Sequence, residues 1–434
     1  MTIPKYICQV MTRIYELGLT TPSGGNISVK DAEGNIWITP SGGDKSCYRE
    51  KDILKILPDG TVTGDRKPSI ETEMHLAVYR QRPELKALIH AHPAALVAAS
   101  FRKELPQLSL LPAVGARVGR LGLAAYGCPG TADLAVRTAA AFERQPSEAL
   151  SQTAEVRNQT ADLHNQLQAP TAALLENHGV LVGSETGLAD ALELFQQLNF
   201  LVEVQAAARK TGHQLRTIQH QHAEMTETGT EIGELSTGIG SAKDGQLIKQ
   251  LQNFYSRALF RHIALPGLSL VTVRGEDGSI LYGYDELADK QRVDGGILRI
   301  IKTIYQEHPE ISAVIYAHPS KAMAFAVTDA EFDLRTIPEC YMVLKSEVEK
   351  FPYGFISQNE GNLQKLADHL CSKSPVAILE NQGYIAVGSS LLQAYDRLEV
   401  LENAAAAMLT AKDLGGDINL LTKEQVEEIR RIYG

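Results

Sequence analysis

Residues 90–92 read His-Ala-His at the end of an apolar run, Leu85–Ile89, and a third histidine stands in the phrase LLENHGVLVGS at 174–184. On a strand, alternate side chains share a face, with alpha carbons about 6.6 Å apart, so His90 and His92 can converge on one cation. His178 lies on a turn just before Gly179 and can add a third neutral imidazole, at metal–nitrogen distances of about 2.0–2.1 Å. Three protein ligands leave one position open, which is the arrangement of catalytic rather than structural zinc. A lone His-x-His pair also occurs as two hydrogen-bonded core histidines, so the reading needs context.

Glu71, in KPSIETEMHLAVY, is a carboxylate that can shuttle a proton beside a metal if burial raises its pKa towards neutrality. The competing role is to cap the helix that starts near it. Glu73 and His75, on the same segment, read as surface or helix-packing residues. Two small-residue loops, SGGNIS at 23–28 and TPSGG at 39–43, offer backbone N–H groups and short polar side chains that can cradle an anion without clustered Lys or Arg.

The context comes from a duplication. RPELKALIHAHPAAL at 82–96 returns as HPEISAVIYAHPSKA at 308–322, and LLENHGVLVGS returns as ILENQGYIAVGS at 378–389. SVKDAEGNIWITP matches TVRGEDGSILYG, and each half carries a long helical stretch after its Glu-Asn turn. Collinear similarity in four blocks indicates a duplicated domain rather than a short repeat. In the second half Tyr316 replaces His90, Gln382 replaces His178 and Ile297 replaces Glu71, while the apolar frame persists. Joint loss of imidazoles and acid follows if the first half binds a metal and the second has given it up. The loops change too, with Asp285 opposite Ser41, a substitution that repels an anion.

The elements that must position these residues alternate between types. Residues 4–18 and 70–82 have helical spacing, 25–30 and 35–39 read as strands around a DAEGN turn, and 85–92 reads as a buried strand. Residues 172–175 and 180–182 flank the Glu-Asn-His-Gly turn, and 186–210 form a long helix. A sheet covered by helices follows. The Gly-, Thr- and Glu-rich stretch 219–244 reads as the seam, giving a catalytic domain over 1–222, a linker over 223–243 and a degenerate copy over 244–434. Residues 142–168 have no counterpart in the second half and read as an inserted helical excursion.

A formal charge of −10 and the lack of clustered Lys and Arg argue against nucleic acid and anionic membranes. No run is long and apolar enough to span a bilayer, and five scattered cysteines fit reduced thiols, so a cytoplasmic location is expected.

The motifs GGNIS, ITPSG, KPSIE with MHLAVYRQRP, IHAH and ENHG resemble those of the class II aldolase/adducin family, in the same order and at similar spacing. The resemblance covers most of 5–215 and, more faintly, 245–415. It implies an α/β fold, an α/β/α sandwich around a largely antiparallel central sheet, duplicated here. It also implies a homo-oligomer, often a fourfold ring with active sites between neighbours; here the silent copy would take a neighbour's place in a pseudo-fourfold arrangement of domains. Members similar to L-fuculose-phosphate aldolase hold zinc through three histidines, matched by His90, His92 and His178. Their acid/base glutamate is matched by Glu71, and their phosphate donors by Gly25, Asn26, Ser41, Gly42 and Ser69. The implied activity is retro-aldol cleavage of a ketose phosphate through a metal-stabilised enediolate that Glu71 reprotonates. The cofactor is zinc or another divalent transition metal. Two departures stand out: Ile70 replaces a serine before the glutamate, and Leu111 stands nearest to where a neighbouring subunit's tyrosine assists. The family also contains epimerases, a dehydratase, decarboxylases and adducin-like scaffolds, so the reaction stays open among them.

Overall fold

The computed structural model describes residues 1–102, 105–144, 169–218, 230–231, 242–283, 285, 287, 292–293, 295–415 and 418–433. Two compact units divide the chain, Met1–Leu108 with Val114–Val202 and Ser109–Ala113 with Glu203–Gly434.

In the first unit, α1 (Ile3–Glu16) starts at Thr2, whose side chain accepts the Lys5 N–H, and buries Ile7, Val10, Met11 and Ile14. That i, i+3, i+4, i+7 spacing is an apolar stripe of helical period. Strands β1 (Asn26–Lys30) and β2 (Ile36–Ile38) follow, then β3 (Leu54–Ile56), β4 (Val62–Thr63), α2 (Thr72–Gln81), β5 (Ala87–Ala91) and α3 (Ala94–Ser100). The unit continues through β6 (Leu121–Ala124), α4 (Ala132–Ala141), β7 (Ala172–Leu175) and β8 (Gly179–Ser184) into the long α5 (Leu188–Lys210), whose residues from Glu203 onward belong to the second unit. The strands form one sheet in the order β4-β3-β2-β1-β5-β8-β7-β6. Every neighbouring pair is antiparallel except β6 with β7.

Period-two alternation sorts the side chains between faces. Leu88, Leu181, Ile36 and Ile38 pack with Met74, Val78 and Tyr79 of α2 and Leu134 and Ala135 of α4. The helices α1 and α3 lie against the sheet elsewhere, α1 along β1 and α3 along β7 and β8. Because His90 shares parity with Leu88, its ring faces the α2 side. The register pairs Asn26 with His90 and His90 with Leu181, which fixes which residues of three central strands meet there.

The second unit repeats this plan. It contains α6 (Ala242–Phe260), β9 (Leu270–Arg274), β10 (Ile280–Gly283), α7 (Gly295–Glu307) and β11 (Ala313–Ala317). After these come β12 (Glu349–Phe351), α8 (Glu360–His369), β13 (Val376–Leu379), β14 (Gly383–Gly388), α9 (Leu391–Leu414) and α10 (Lys423–Tyr433). Its sheet order is β10-β9-β11-β14-β13-β12. Leu270 pairs with Tyr316 and Tyr316 with Ile385, the same positions that Asn26, His90 and Leu181 hold in the first sheet. The fold is therefore a duplicated α/β architecture, helices covering a largely antiparallel sheet in each copy.

Within the stretch expected to be a linker, Thr230–Glu231 pairs antiparallel with Arg292–Val293, and α6 begins at Ala242. The rest of that stretch lies outside the described residues. So does the expected excursion at 142–168 beyond residue 144; Phe142 itself is fully buried at the end of α4. Among the described residues, no helix is long and apolar enough to cross a membrane.

Candidate metal centre

Strand β5 delivers His90 fully buried, and its Nδ1 lies 2.8 Å from the Val180 carbonyl. A proton on Nδ1 makes that bond and leaves the Nε2 lone pair free to face inward, the usual way an outer partner fixes a ligating imidazole. His92, two residues on, brings its Nε2 to 2.9 Å from that of His90. His178 comes from the tight β7–β8 turn, where Asn177 takes φ 55° and the His178 N–H donates to the Leu175 carbonyl at 3.0 Å. The three ring centroids are 4.7, 4.9 and 5.0 Å apart, and one nitrogen from each ring falls within 4.8 Å of the others.

Two glycines make this approach possible. A Cβ on Gly179 would lie 2.6 Å from the Ala91 carbonyl oxygen and 2.7 Å from His92 Cδ2. Gly25 has φ +73°, and a Cβ there would lie 2.6 Å from the His90 carbonyl oxygen. Only a residue without a side chain fits either place.

Glu71 stands at the start of α2 but makes no side-chain capping bond. Its carboxylate turns instead to the rings: Oε2 accepts from Asn26 Nδ2 at 2.7 Å and lies 3.3 Å from His90 Nε2, while Oε1 lies 3.3 Å from His178 Nε2. Behind it runs a buried polar chain. His75 Nε2 is 2.5 Å from Asn26 Oδ1, His75 Nδ1 is 2.7 Å from Ser28 Oγ, and Ser28 Oγ is 3.0 Å from the Tyr79 hydroxyl. Of the two sequence readings of His75, surface or helix-packing, the structure removes the first, since the ring is fully buried on α2. It orients the Asn26 amide so that its NH2 faces Glu71. The i, i+4 spacing of Glu71 and His75 on one helix face was the available signal.

The charge states are set by burial and by neighbours. Burial alone would raise Glu71, but the rings of His90 and His178 and the Asn26 amide outweigh it and hold the carboxyl below the usual carboxylate range. This reverses the expectation that burial brings Glu71 towards neutrality. Burial pushes His90 down to about 4 against the pull of Glu71, and pushes His92 to about 3, helped by His90 and His178. Burial thus favours neutral rings at His90 and His92 beside an anionic Glu71, the protonation state that a divalent cation requires. One nitrogen from each ring converges, with His90 buried and His92 and His178 half-buried, so the residues fit such an ion.

The anion loops lie around this group. The Ser41 N–H donates to the Lys67 carbonyl at 2.8 Å, with Gly42 and Gly43 at φ 67° and 95°. Ser69 is buried; its N–H donates to the Thr39 carbonyl at 3.2 Å and its Oγ accepts the Glu71 N–H at 3.3 Å. Asn26 commits its amide to Glu71 and His75. Ile70, where the family resemblance expects serine, is 65% exposed.

The matching place in the second unit is hydrocarbon. Leu270, Ile297, Ile301 and Tyr316 stand where Asn26, Glu71, His75 and His90 stand in the first, and all four belong to one apolar core. The Tyr316 hydroxyl donates to the Gln382 carbonyl at 3.0 Å, and a Cβ on Gly383 would lie 2.9 Å from the Tyr316 ring. The remaining histidine, His318, is buried with Nδ1 2.9 Å from Ser269 Oγ. Among the described residues, His90, His92 and His178 form the only converging set of three metal-ligating side chains.

A family model for the class II aldolase and adducin N-terminal domain matches residues 5–206 and again 269–409. A 5-deoxy-D-ribulose 1-phosphate aldolase of Bacillus thuringiensis serovar kurstaki is 33% identical over 198 residues, 45% of this chain and 80% of its own length. A 3-oxo-tetronate 4-phosphate decarboxylase of Haemophilus influenzae is 29% identical over 199 residues, 45% of this chain and 82% of its own. Among solved structures, an L-fuculose 1-phosphate aldolase is 28% identical, with a TM-score of 0.41, covering 51% of this chain and 93% of that one.

Proposed function

The chain belongs to the class II aldolase and adducin family, and from that premise we propose that residues 1–222 form a divalent-metal-dependent lyase that cleaves a ketose phosphate by a retro-aldol reaction. One observation carries this reading: the nitrogens of His90, His92 and His178 converge, with the Glu71 carboxylate 3.3 Å from His90 Nε2 and from His178 Nε2. The donor set suits zinc or another divalent transition metal, which His90, His92 and His178 would hold. Such an ion supplies Lewis acidity where negative charge develops on substrate oxygen, lowering the barrier by several kcal/mol.

The chain's own groups supply positioning and proton transfer. Glu71, anionic and aimed by Asn26, takes the proton of the hydroxyl whose collapse to a carbonyl breaks the carbon–carbon bond. It returns that proton to the carbon that keeps the electron pair, so the products are an aldehyde and dihydroxyacetone phosphate. Gly25, Asn26, Ser41, Gly42 and Ser69 line the phosphate end. Residues 244–434, joined through 223–243, form a copy that binds no metal; Ile297 and Tyr316 in its core support this. The proposal includes a homo-oligomer with a pseudo-fourfold arrangement of domains. It also includes a cytoplasmic location, for which the free state of all five cysteines is the support.

Decarboxylation of a 3-oxo sugar-acid phosphate is the second reading. The decarboxylase relative is nearly as similar to this chain as the aldolase relative is. A panel of ketose 1-phosphates, including 5-deoxyribulose 1-phosphate, assayed for dihydroxyacetone phosphate after chelation and metal re-addition, tests the choice. The lyase reading expects cleavage lost with the chelator and restored by the ion. Carbon dioxide from a 3-oxo acid phosphate, with no dihydroxyacetone phosphate from any ketose phosphate, would replace it with the second.

A further inference from the structure

We infer that Lys45 is the cationic anchor for the substrate's phosphoryl group, adding a full charge to loops otherwise built from neutral donors; this rests on the sugar-phosphate reading above. Lys45 follows the TPSGG loop, and its backbone N–H donates to the Pro22 carbonyl at 3.1 Å. It therefore sits between the two glycine-rich loops, 23–25 and 41–43. Its side chain is buried, 2% exposed, although lysine almost never is unless paired. The ammonium can donate three hydrogen bonds, yet among the described residues its contacts are with Tyr48 alone, the hydroxyl at 3.0 Å and the ring centroid at 5.1 Å. No carboxylate among the described residues forms an ion pair with it.

Lys45 also shares the electrostatic environment of the metal centre. Burial pushes the ammonium down to about 8; Glu71 pulls it up and Arg66 pushes it further down. Lys45 in turn contributes to lowering His92. Arg66 itself reaches the loop at the Gly42 carbonyl, 3.3 Å away, and pairs with Asp52 at 3.6 Å. A second buried donor accompanies Lys45: the Thr20 hydroxyl has no partner and would lie 3.2 and 3.3 Å from a Cβ on Gly24 and Gly25. An unpaired buried charge is expensive, and a phosphate dianion at the loops would supply the missing counter-charge.

The competing role is a brace, since Tyr48, the partner of Lys45, donates on to the Gly42 carbonyl at 2.8 Å. The two roles differ in sign. A brace stabilises the ligand-free fold, whereas a cation awaiting its anion destabilises it. The test is calorimetric titration of inorganic phosphate into zinc-loaded full-length protein at pH 7, for wild type, Lys45→Met and Lys45→Arg, alongside each ligand-free melting temperature. The anchor expects phosphate affinity to fall tenfold or more in Lys45→Met, to be largely kept in Lys45→Arg, and Lys45→Met to melt at or above wild type. Phosphate affinity within twofold of wild type in Lys45→Met, or no phosphate binding by wild type, overturns it. A lower melting temperature with unchanged affinity makes Lys45 a brace. Loss of phosphate binding in Lys45→Met, with no ketose phosphate cleaved by wild type, would leave the anchor standing and remove the lyase. Cleavage by Lys45→Met with an unchanged KM would do the opposite.

Discussion

Glu71→Gln separates the two tasks open to a carboxylate beside an ion. The amide keeps the shape and its oxygen can still accept from Asn26 Nδ2, but it can no longer carry a proton. If Glu71 is the proton carrier, kcat falls about 100- to 10,000-fold, the range for losing a general acid–base, while metal content measured by elemental analysis stays near wild type. Loss of metal with a small change in kcat would make it a ligand instead. Lys45 carries a linked stability signature. Held at about 8 instead of 10.5, its ammonium costs the ligand-free fold about 3 kcal/mol below pH 8, where folded and unfolded chains are both protonated. The cost fades between pH 8 and 10.5, as the folded chain gives up the proton first. The melting-temperature advantage of Lys45→Met should accordingly be largest at pH 7 and shrink towards pH 10.

At the scale of elements, the centre depends on how closely β1 and the β7–β8 turn approach β5. Gly25→Ala places a methyl 2.6 Å from the His90 carbonyl, at a φ of +73° that side chains rarely adopt. It should destabilise the first unit by about 1–3 kcal/mol and weaken metal binding, read by chemical denaturation and metal titration. Wild-type values on both would mean that β1 can give way without disturbing His90. The same elements show what the sequence disclosed. The apolar run Leu85–Ile89 leading into His90 made β5 legible, and the second copy's Tyr316 and Gln382 singled out the positions that changed together. His75 was legible only through its spacing from Glu71, because its partners Asn26 and Ser28 become neighbours only when β1 lies beside β5 under α2. Lys45 was not legible, since two loops enclose it only once the chain has folded. The charge of Glu71 was misread because burial was weighed without the rings and the amide that oppose it.

At the scale of the molecule, one fold has been used twice with opposite interiors. Register for register, Asn26, Glu71, His75 and His90 become Leu270, Ile297, Ile301 and Tyr316, so the polar chain that aims a carboxylate in one sheet is hydrocarbon in the other. Removing the whole set together avoids stranding a buried donor or charge, which costs more than an apolar replacement of the full network. The proposed function gives the duplicated chain one metal centre, and a stoichiometry counts it. Elemental analysis of purified full-length protein, saturated with zinc and desalted, is the most direct measurement. The account predicts one ion per chain in the wild type and in Gln382→Ala, and close to none in a folded His92→Ala. Two ions per wild-type chain, or a full equivalent retained by His92→Ala, would contradict it.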